Sequence, residues 1–228
     1  MKNNSDIQTL IDNIIASNAL KEFKYQKEFL KLWKQKLLKY SKSEFAFVSN
    51  PNDNSQIYHY DGIVFDTYIC FDINVDYLLS ALQVERKLDK EHQFAEVELN
   101  TQGYELFYGK EECFYTHYSP SELQPYYDNL HPVLITPFPL VPAKLTVIDG
   151  NHRVCKQILE KKTTIGAYYV LDGAICLSLM TQFQICLYCF LFDVSRIIYN
   201  TGKISDGNIR NGLYIFNSNS SMHIALNR

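Results

Sequence analysis

The stretch Lys144-Leu-Thr-Val-Ile-Asp-Gly-Asn-His-Arg153 joins two different sequence patterns. Residues 145–148 form a short, apolar and partly β-branched run, which is typical of a buried strand. Asp149-Gly150 interrupts this run, because glycine tolerates the backbone angles of a sharp turn. Apolar residues then return at helical spacing over residues 154–159. The stretch therefore predicts a strand, a glycine turn and a helix, in that order.

Two basic side chains stand in the first turn of this predicted helix. His152 and Arg153 lie at the end of the helix where the peptide dipoles leave about half a positive charge. Each cation there therefore lowers the stability of the helix by about 0.3–1 kcal/mol. The pair indicates a site for an anion, most simply a phosphate held by backbone N–H groups, guanidinium and imidazole together. The predicted phosphate-binding residues are Gly150, Asn151, His152 and Arg153. The alternative is that Asp149 caps the helix, His152 is neutral and Arg153 points to solvent.

These residues also resemble a known family. Asp-Gly-Asn-His-Arg after an apolar strand is similar to the signature of the ParB/sulfiredoxin-like superfamily, whose Gly-x-(His/Arg)-Arg turn surrounds nucleotide phosphates. The resemblance spans roughly residues 119–171, nearest to free-serine-kinase-like proteins and to Asp-Gly-Gln-His-Arg proteins linked to DNA modification. It implies that Gly150 is the turn glycine and that His152 and Arg153 grip the phosphates. Asn151 stands where sulfiredoxins carry their catalytic cysteine, which argues against sulfinic-acid reduction.

The resemblance implies binding of ATP or another nucleotide with Mg²⁺, and phosphoryl transfer to a small hydroxyl acceptor. Asp149 matches the acidic residue of the free-serine kinases, so Asp149 and His152 are the candidate catalytic residues. Such a transfer also needs a general base. Superfamily kinases use an upstream glutamate, and the sequence leaves four candidates open: Glu98, Glu105, Glu111 and Glu112. Two other functions stay open, namely a non-catalytic nucleotide-gated or DNA-associated ParB-type module, and a scaffold or interaction protein.

Composition and charge narrow the class of protein further. A net charge of −3 does not imply a large nucleic-acid-binding face, so nucleic acid is not the favoured partner. The six cysteines show no framework spacing and no targeting segment is apparent, which predicts reduced thiols and a cytoplasmic location. Cys186 and Cys189 have redox spacing, but their apolar surroundings favour buried structural thiols. The spacing of histidines and cysteines predicts no metal site.

The pattern along the chain predicts an α+β protein in two parts. The expected division is an N-terminal helical extension, residues 1–48, and a ParB/sulfiredoxin-like domain, residues 55–228. The extension should contain two helices, broken near Ser17 and ending about Tyr40. The domain should contain a small mixed sheet flanked by helices. Further strands are predicted at residues 57–60, 68–71, 97–107, 131–136, 164–171 and 213–216, and helices at residues 77–94 and 119–129.

The apolar segment of residues 173–192 carries no charge. Its length of about twenty residues would suit a membrane span. Polar side chains near its middle and the lack of a flanking basic cluster argue against that interpretation. We therefore predict a buried helix of the core, or a helix in a homo-oligomer interface, rather than a membrane segment.

Overall fold

The computed structural model describes residues 4–41, 56–84, 94–98, 131–137 and 145–226. The chain divides into two compact units: the first comprises residues 1–78 and 175–228, and the second comprises residues 79–174. The described residues form two small sheets and eight α-helices, which confirms the α+β class. The finer expectation, a ParB/sulfiredoxin-like sheet, stays a prediction.

The first unit begins with helices α1 (Asn4–Ala16) and α2 (Gln26–Ser41), followed by strands β1 (Ile57–Val64) and β2 (Thr67–Asn74). Helix α3 (Val75–Val84) leads into the second unit, which contains strands β3 (Phe94–Glu98), β4 (Val133–Pro137) and β5 (Leu145–Asp149), helix α4 (Asn151–Leu159) and strand β6 (Thr164–Tyr169). Helix α5 (Asp172–Ser178) leads back into the first unit. There follow α6 (Gln182–Asn200), α7 (Asp206–Gly212), a 3₁₀ turn (Tyr214–Phe216) and α8 (Ser221–Leu226).

The hairpin of β1 and β2 turns without glycine. Its two turn residues, Phe65 and Asp66, have φ values of 46° and 54°, which residues other than glycine rarely adopt. The amide of Asn13 in α1 compensates by donating to the Phe65 carbonyl at 2.8 Å and to Thr67 Oγ1 at 3.2 Å. Helix α1 therefore holds this turn in place through Asn13.

Helix α6 supplies the aromatic core of the first unit. The ring of Phe190 lies 6.0 Å from that of Phe29 and 5.5 Å from that of Trp33, both in α2. These contacts group α2 and α6 in one unit, while the predicted boundary at residues 48–55 lies outside the described residues and stays a prediction. A loop-rich composition marks a break in the chain, but it does not show that α2 packs against a helix far along the sequence.

A fully buried carboxylate connects three parts of this core. Asp193 accepts hydrogen bonds from Trp33 Nε1 at 3.1 Å, from the Tyr214 N–H at 2.8 Å and from the Ile215 N–H at 3.1 Å. Burial raises the pKa of Asp193 well above its ordinary value, although these donors and Arg196 oppose the rise. Asp193 thus fixes α2 and the 3₁₀ turn to α6.

Three sequence-based predictions are wrong, one of them in part. The helix predicted at residues 77–94 is confirmed by α3 as far as Val84, but Phe94 begins strand β3 and does not end that helix. Residues 213–216 form no strand, because the Tyr214 and Ile215 N–H groups bind Asp193 and the chain closes into a 3₁₀ turn. Residues 173–192 are not one helix, because Thr181 Oγ1 accepts from the Gln184 N–H and starts a new helix after α5.

The remaining predictions of this kind fare better. The break near Ser17 is confirmed by the end of α1 at Ala16, and the strands at residues 57–60 and 68–71 lie within β1 and β2. Residues 184–191 of α6 are all buried, as a core helix requires, while the homo-oligomer alternative stays a prediction. In the part of the chain that the structure describes, no helix has the length and apolar content needed to cross a bilayer. The helix predicted at residues 119–129 lies outside the described residues.

The sheet of the second unit places the candidate site at the end of one strand. Its order is β3-β6-β4-β5, with β4 antiparallel to β5 and parallel to β6. Helix α4 contacts β4 and β6. Because β4 and β5 run in opposite directions, the start of β4 lies beside the end of β5, and Leu134 pairs with Asp149. The turn into α4 therefore begins next to the residues that precede β4.

The stability of the first unit should depend on pH through Asp193. A folded pKa above the unfolded value means that the carboxyl group contributes most below about pH 3.8, and that this contribution is lost as pH rises toward the folded pKa. We therefore compare the free energy of unfolding of wild type with that of Asp193→Asn. The difference, wild type minus variant, should fall with rising pH, by a total of about 1.4 kcal/mol for each unit between the folded and unfolded pKa of Asp193. Urea unfolding followed by the fluorescence of Trp33 measures it. A pH-independent difference would contradict the assignment.

Candidate functional site

A single residue separates strand β5 from helix α4. Gly150 has φ 98° and ψ 22°, in the left-handed region. A Cβ atom at this position would lie 2.5 Å from Val133 Cγ1 and 2.8 Å from Arg153 Nη2. Glycine is therefore required both by the backbone angles and by the close approach of two side chains. The predicted order of strand, glycine turn and helix is confirmed.

The side chain of Arg153 crosses this glycine and turns inward. Its Nη1 donates to the carbonyl oxygens of His131 at 2.6 Å and Pro132 at 2.8 Å, and its Nη2 donates to Asp149 Oδ2 at 2.7 Å. The Arg153 side chain is 9% exposed and that of Asp149 is 22% exposed. The guanidinium thus joins the end of β5 to the residues before β4, and its charge is paired.

This geometry corrects the structural alternative drawn from the sequence. Arg153 does not point to solvent, and the N-cap residue of α4 is Gly150 rather than Asp149. Asp149 instead accepts from the guanidinium one helical turn ahead. Asp149, Gly150 and Arg153 are therefore brought together, as the motif predicted, although Asp149 and Arg153 bind each other.

The first turn of α4 has the backbone features of an anion site. The first intrahelical hydrogen bond runs from the Val154 N–H to the Gly150 carbonyl at 3.0 Å. The N–H groups of Asn151, His152 and Arg153 precede it, and the N-cap residue, Gly150, has no side chain that could cap them. The side chains of Asn151 and His152 are half-buried.

Sequence reasoning missed two features of this site. The carbonyls of His131 and Pro132 were not anticipated as partners of Arg153, although a proline at the start of a neighbouring strand offers a carbonyl without an N–H. Lys156 is also buried, with its Nζ 3.9 Å from Glu160 Oε1. It follows Arg153 by three residues, and this spacing places both cations on one side of α4.

Other candidate chemistry receives less support. Burial raises the pKa of Cys155, next to this turn in α4, to about 12, so it stays a neutral thiol near pH 7. Only the backbone of Glu98 is described, and the other candidate bases lie outside the described residues: Glu105, Glu111 and Glu112. Among the described residues, no cluster of three or more His, Cys, Asp and Glu side chains could hold a metal ion.

Replacing Gly150 by alanine should lower the free energy of unfolding by about 2–4 kcal/mol, since left-handed strain and overpacking add together. Gly202→Ala is the matched control, because Gly202 also has positive φ, at 78°, but nothing lies within 4 Å of its added Cβ. The control should lose only about 1–2 kcal/mol. Thermal unfolding by circular dichroism compares the two variants. Equal losses would show that the contacts with Val133 and Arg153 do not constrain the turn.

Arg153 and Asp149 should be energetically coupled. We expect Arg153→Met to lower the free energy of unfolding by about 2–4 kcal/mol, because it leaves two carbonyls and a carboxylate without their donor. Asp149→Asn should cost less in the Arg153→Met background than in the wild type. A double-mutant cycle in urea measures a coupling of about 1–3 kcal/mol. Additive effects of the two substitutions would rule the coupling out.

No protein-family model matches this chain, and no curated protein and no solved structure is similar to it. Membership of the ParB/sulfiredoxin-like superfamily therefore stays a prediction from the pentapeptide. A function for this turn has to be argued from its own geometry.

Proposed function

We propose that this protein binds the phosphate group of a nucleotide at the turn between β5 and α4. The left-handed turn at Gly150, directly before the first turn of α4, carries the proposal. The successive N–H groups of Asn151, His152 and Arg153 follow it, ahead of the first intrahelical hydrogen bond, which the Val154 N–H donates. Successive backbone N–H groups after such a turn, together with the helix dipole, favour an anion. A phosphate has enough oxygens to accept from several of these groups at once.

Arg153 supports the same proposal in a second way. A guanidinium has five N–H donors, and the contacts with His131, Pro132 and Asp149 use three of them. Within the described part of the chain, Nε and the second hydrogen of Nη2 are not used by those contacts. The Arg153 Nη2 lies beside Gly150, so an anion at this turn would meet a cation whose position is already fixed.

Phosphoryl transfer to a small hydroxyl acceptor is the enzymatic form of this proposal. His152 is then the titratable side chain of the first turn that exchanges a proton with the acceptor. Asp149 is better assigned as a positioning residue, because its Oδ2 holds the Arg153 guanidinium. The described residues do not fit a Mg²⁺ site, since the carboxylate at the turn is paired with Arg153 and no cluster of ligands surrounds it. We therefore assign no step to a metal ion.

Replacing Asn151 by aspartate separates anion binding from helix stability. A carboxylate in the first turn favours the helix by about 0.3–1 kcal/mol, but it repels a phosphate at the same position. We expect Asn151→Asp to weaken nucleotide binding at least tenfold while the free energy of unfolding is unchanged or higher. Isothermal titration calorimetry with ATP, ADP and CTP, each with and without Mg²⁺, measures the affinity.

The matched control is Asn208→Asp, which adds the same charge to the exposed first turn of α7. It should leave nucleotide affinity unchanged. His152→Ala should weaken binding by about tenfold, the loss of one hydrogen bond to a charged group. If wild type binds none of the nucleotides, or if Asn151→Asp and Asn208→Asp behave alike, the proposed site is wrong.

A further inference from the structure

Three of the six cysteines lie together in the core of the first unit. Cys176 of α5 and Cys186 and Cys189 of α6 are each fully buried. The Sγ atoms of Cys176 and Cys189 are 3.3 Å apart, in contact as hydrogen-bonded thiols. Cys186 precedes Cys189 by one helical turn. The sequence spacing suggests Cys186 and Cys189 as a pair, but the sulfurs in contact are those of Cys176 and Cys189, which belong to two different helices.

The pair of Cys176 and Cys189 is close to the geometry of a cross-link. A disulfide needs its sulfurs about 2.0 Å apart, so the observed 3.3 Å leaves about 1.3 Å to close. Small rotations of the two side chains can supply such a movement. The two residues are separated by 13 positions, and Thr181 begins a new helix between them, so α5 and α6 are joined by a bend rather than by continuous helix.

We propose that Cys176 and Cys189 are a redox site, which forms a reversible disulfide when the protein meets a peroxide. One thiolate attacks a peroxide oxygen and becomes a sulfenic acid, with release of one water after protonation. The second thiolate attacks the sulfenic sulfur, forms the S–S bond and expels hydroxide, which is protonated to a second water. Two thiols lose two electrons and two protons, and one hydrogen peroxide is reduced to two waters. A dithiol reductant reverses the change.

The site is protected from rapid oxidation. Burial, and to a smaller extent the neighbouring thiols, raise the pKa of Cys186 to about 12 and that of Cys189 well above its ordinary value. Since the thiolate is the reactive form, oxidation should be slower here than at Cys70, which is only partly buried on β2. Opening of α5, a helix of seven residues, is the step that we expect to admit the oxidant.

Disulfide formation would add a covalent link within the first unit of the chain. Helix α5 is the segment in which the chain passes from the second unit into the first. The cross-link would join its first-unit end covalently to α6. Because a disulfide restricts the unfolded chain, the oxidised protein should melt several degrees higher than the reduced protein.

Oxidation of the folded, full-length protein tests the proposal directly. The protein is treated with hydrogen peroxide for ten times as long as full oxidation of Cys70 requires. The remaining thiols are then blocked with N-ethylmaleimide, and the protein is digested with chymotrypsin. Cleavage after Phe183 and Tyr188 separates the three cysteines, so mass spectrometry without reduction identifies the linked pair. We expect Cys176 linked to Cys189, a link removed by dithiothreitol, and a raised Tm before its removal.

Connectivity distinguishes this pair from chance oxidation. In urea the shorter loop is favoured, so the unfolded chain should link Cys186 to Cys189. Cys186→Ala should keep the link in the folded protein and Cys176→Ala should abolish it. If Cys176→Ala does not fold, the linkage map of wild type still decides. No link to Cys176 in folded wild type, or the same Cys186–Cys189 link as in urea, would overturn the proposal.

Discussion

At the candidate site, the structure of the second unit depends on the side chain of Arg153 lying directly across Gly150. A side chain at residue 150 would occupy the space that the guanidinium uses, because its Cβ would lie 2.8 Å from Nη2. The guanidinium in turn binds Asp149 and the carbonyls before β4, which lie within reach because β4 and β5 are antiparallel. The aspartate, glycine and arginine of the pentapeptide are thus parts of one arrangement.

This arrangement changes the physical argument for a phosphate. In the sequence, a cation at the start of a helix breaks a stability rule without visible compensation. In the structure the compensation is visible, because Asp149 offsets the charge of Arg153. The case for an anion therefore moves from the two basic side chains to the left-handed turn at Gly150 before α4. It also rests on the two guanidinium N–H groups that the contacts of Arg153 with His131, Pro132 and Asp149 do not use. Lys156 on the same helix is also buried, and its Nζ lies 3.9 Å from Glu160 Oε1.

Local patterns were sufficient where neighbouring residues decide the structure. The turn at Gly150 and the two strands of the first hairpin follow from β-branched runs, turn residues and helical spacing. The sequence could not show where distant side chains meet. Residues 213–216 have the composition of a strand, yet their backbone binds Asp193. The ring of Phe190 packs against Trp33 and so includes α2 in the core.

The partners of Arg153 were hidden for the same reason. Its spacing from Asp149 is readable in the sequence as a helical pair, but the carbonyls of His131 and Pro132 belong to the residues before β4, which are distant in sequence. Sequence alone could therefore name the residues of the candidate site and the order of its elements. It could not tell whether the guanidinium faces a ligand, the solvent or the protein's own backbone.

Each unit contains a buried ionisable side chain that binds the backbone of distant segments, and comparing the two side chains distinguishes a structural role from a functional one. Asp193 is fully buried, and its hydrogen bonds come from Trp33 and two N–H groups of the protein. Arg153 has a partly exposed counter-charge, two N–H groups that its contacts with His131, Pro132 and Asp149 do not use, and the left-handed turn of Gly150 beside it. A buried ionisable group enclosed by its own partners stabilises a fold. A guanidinium with further N–H groups beside a partly exposed carboxylate can still bind a ligand, and this difference favours Gly150 as the candidate site.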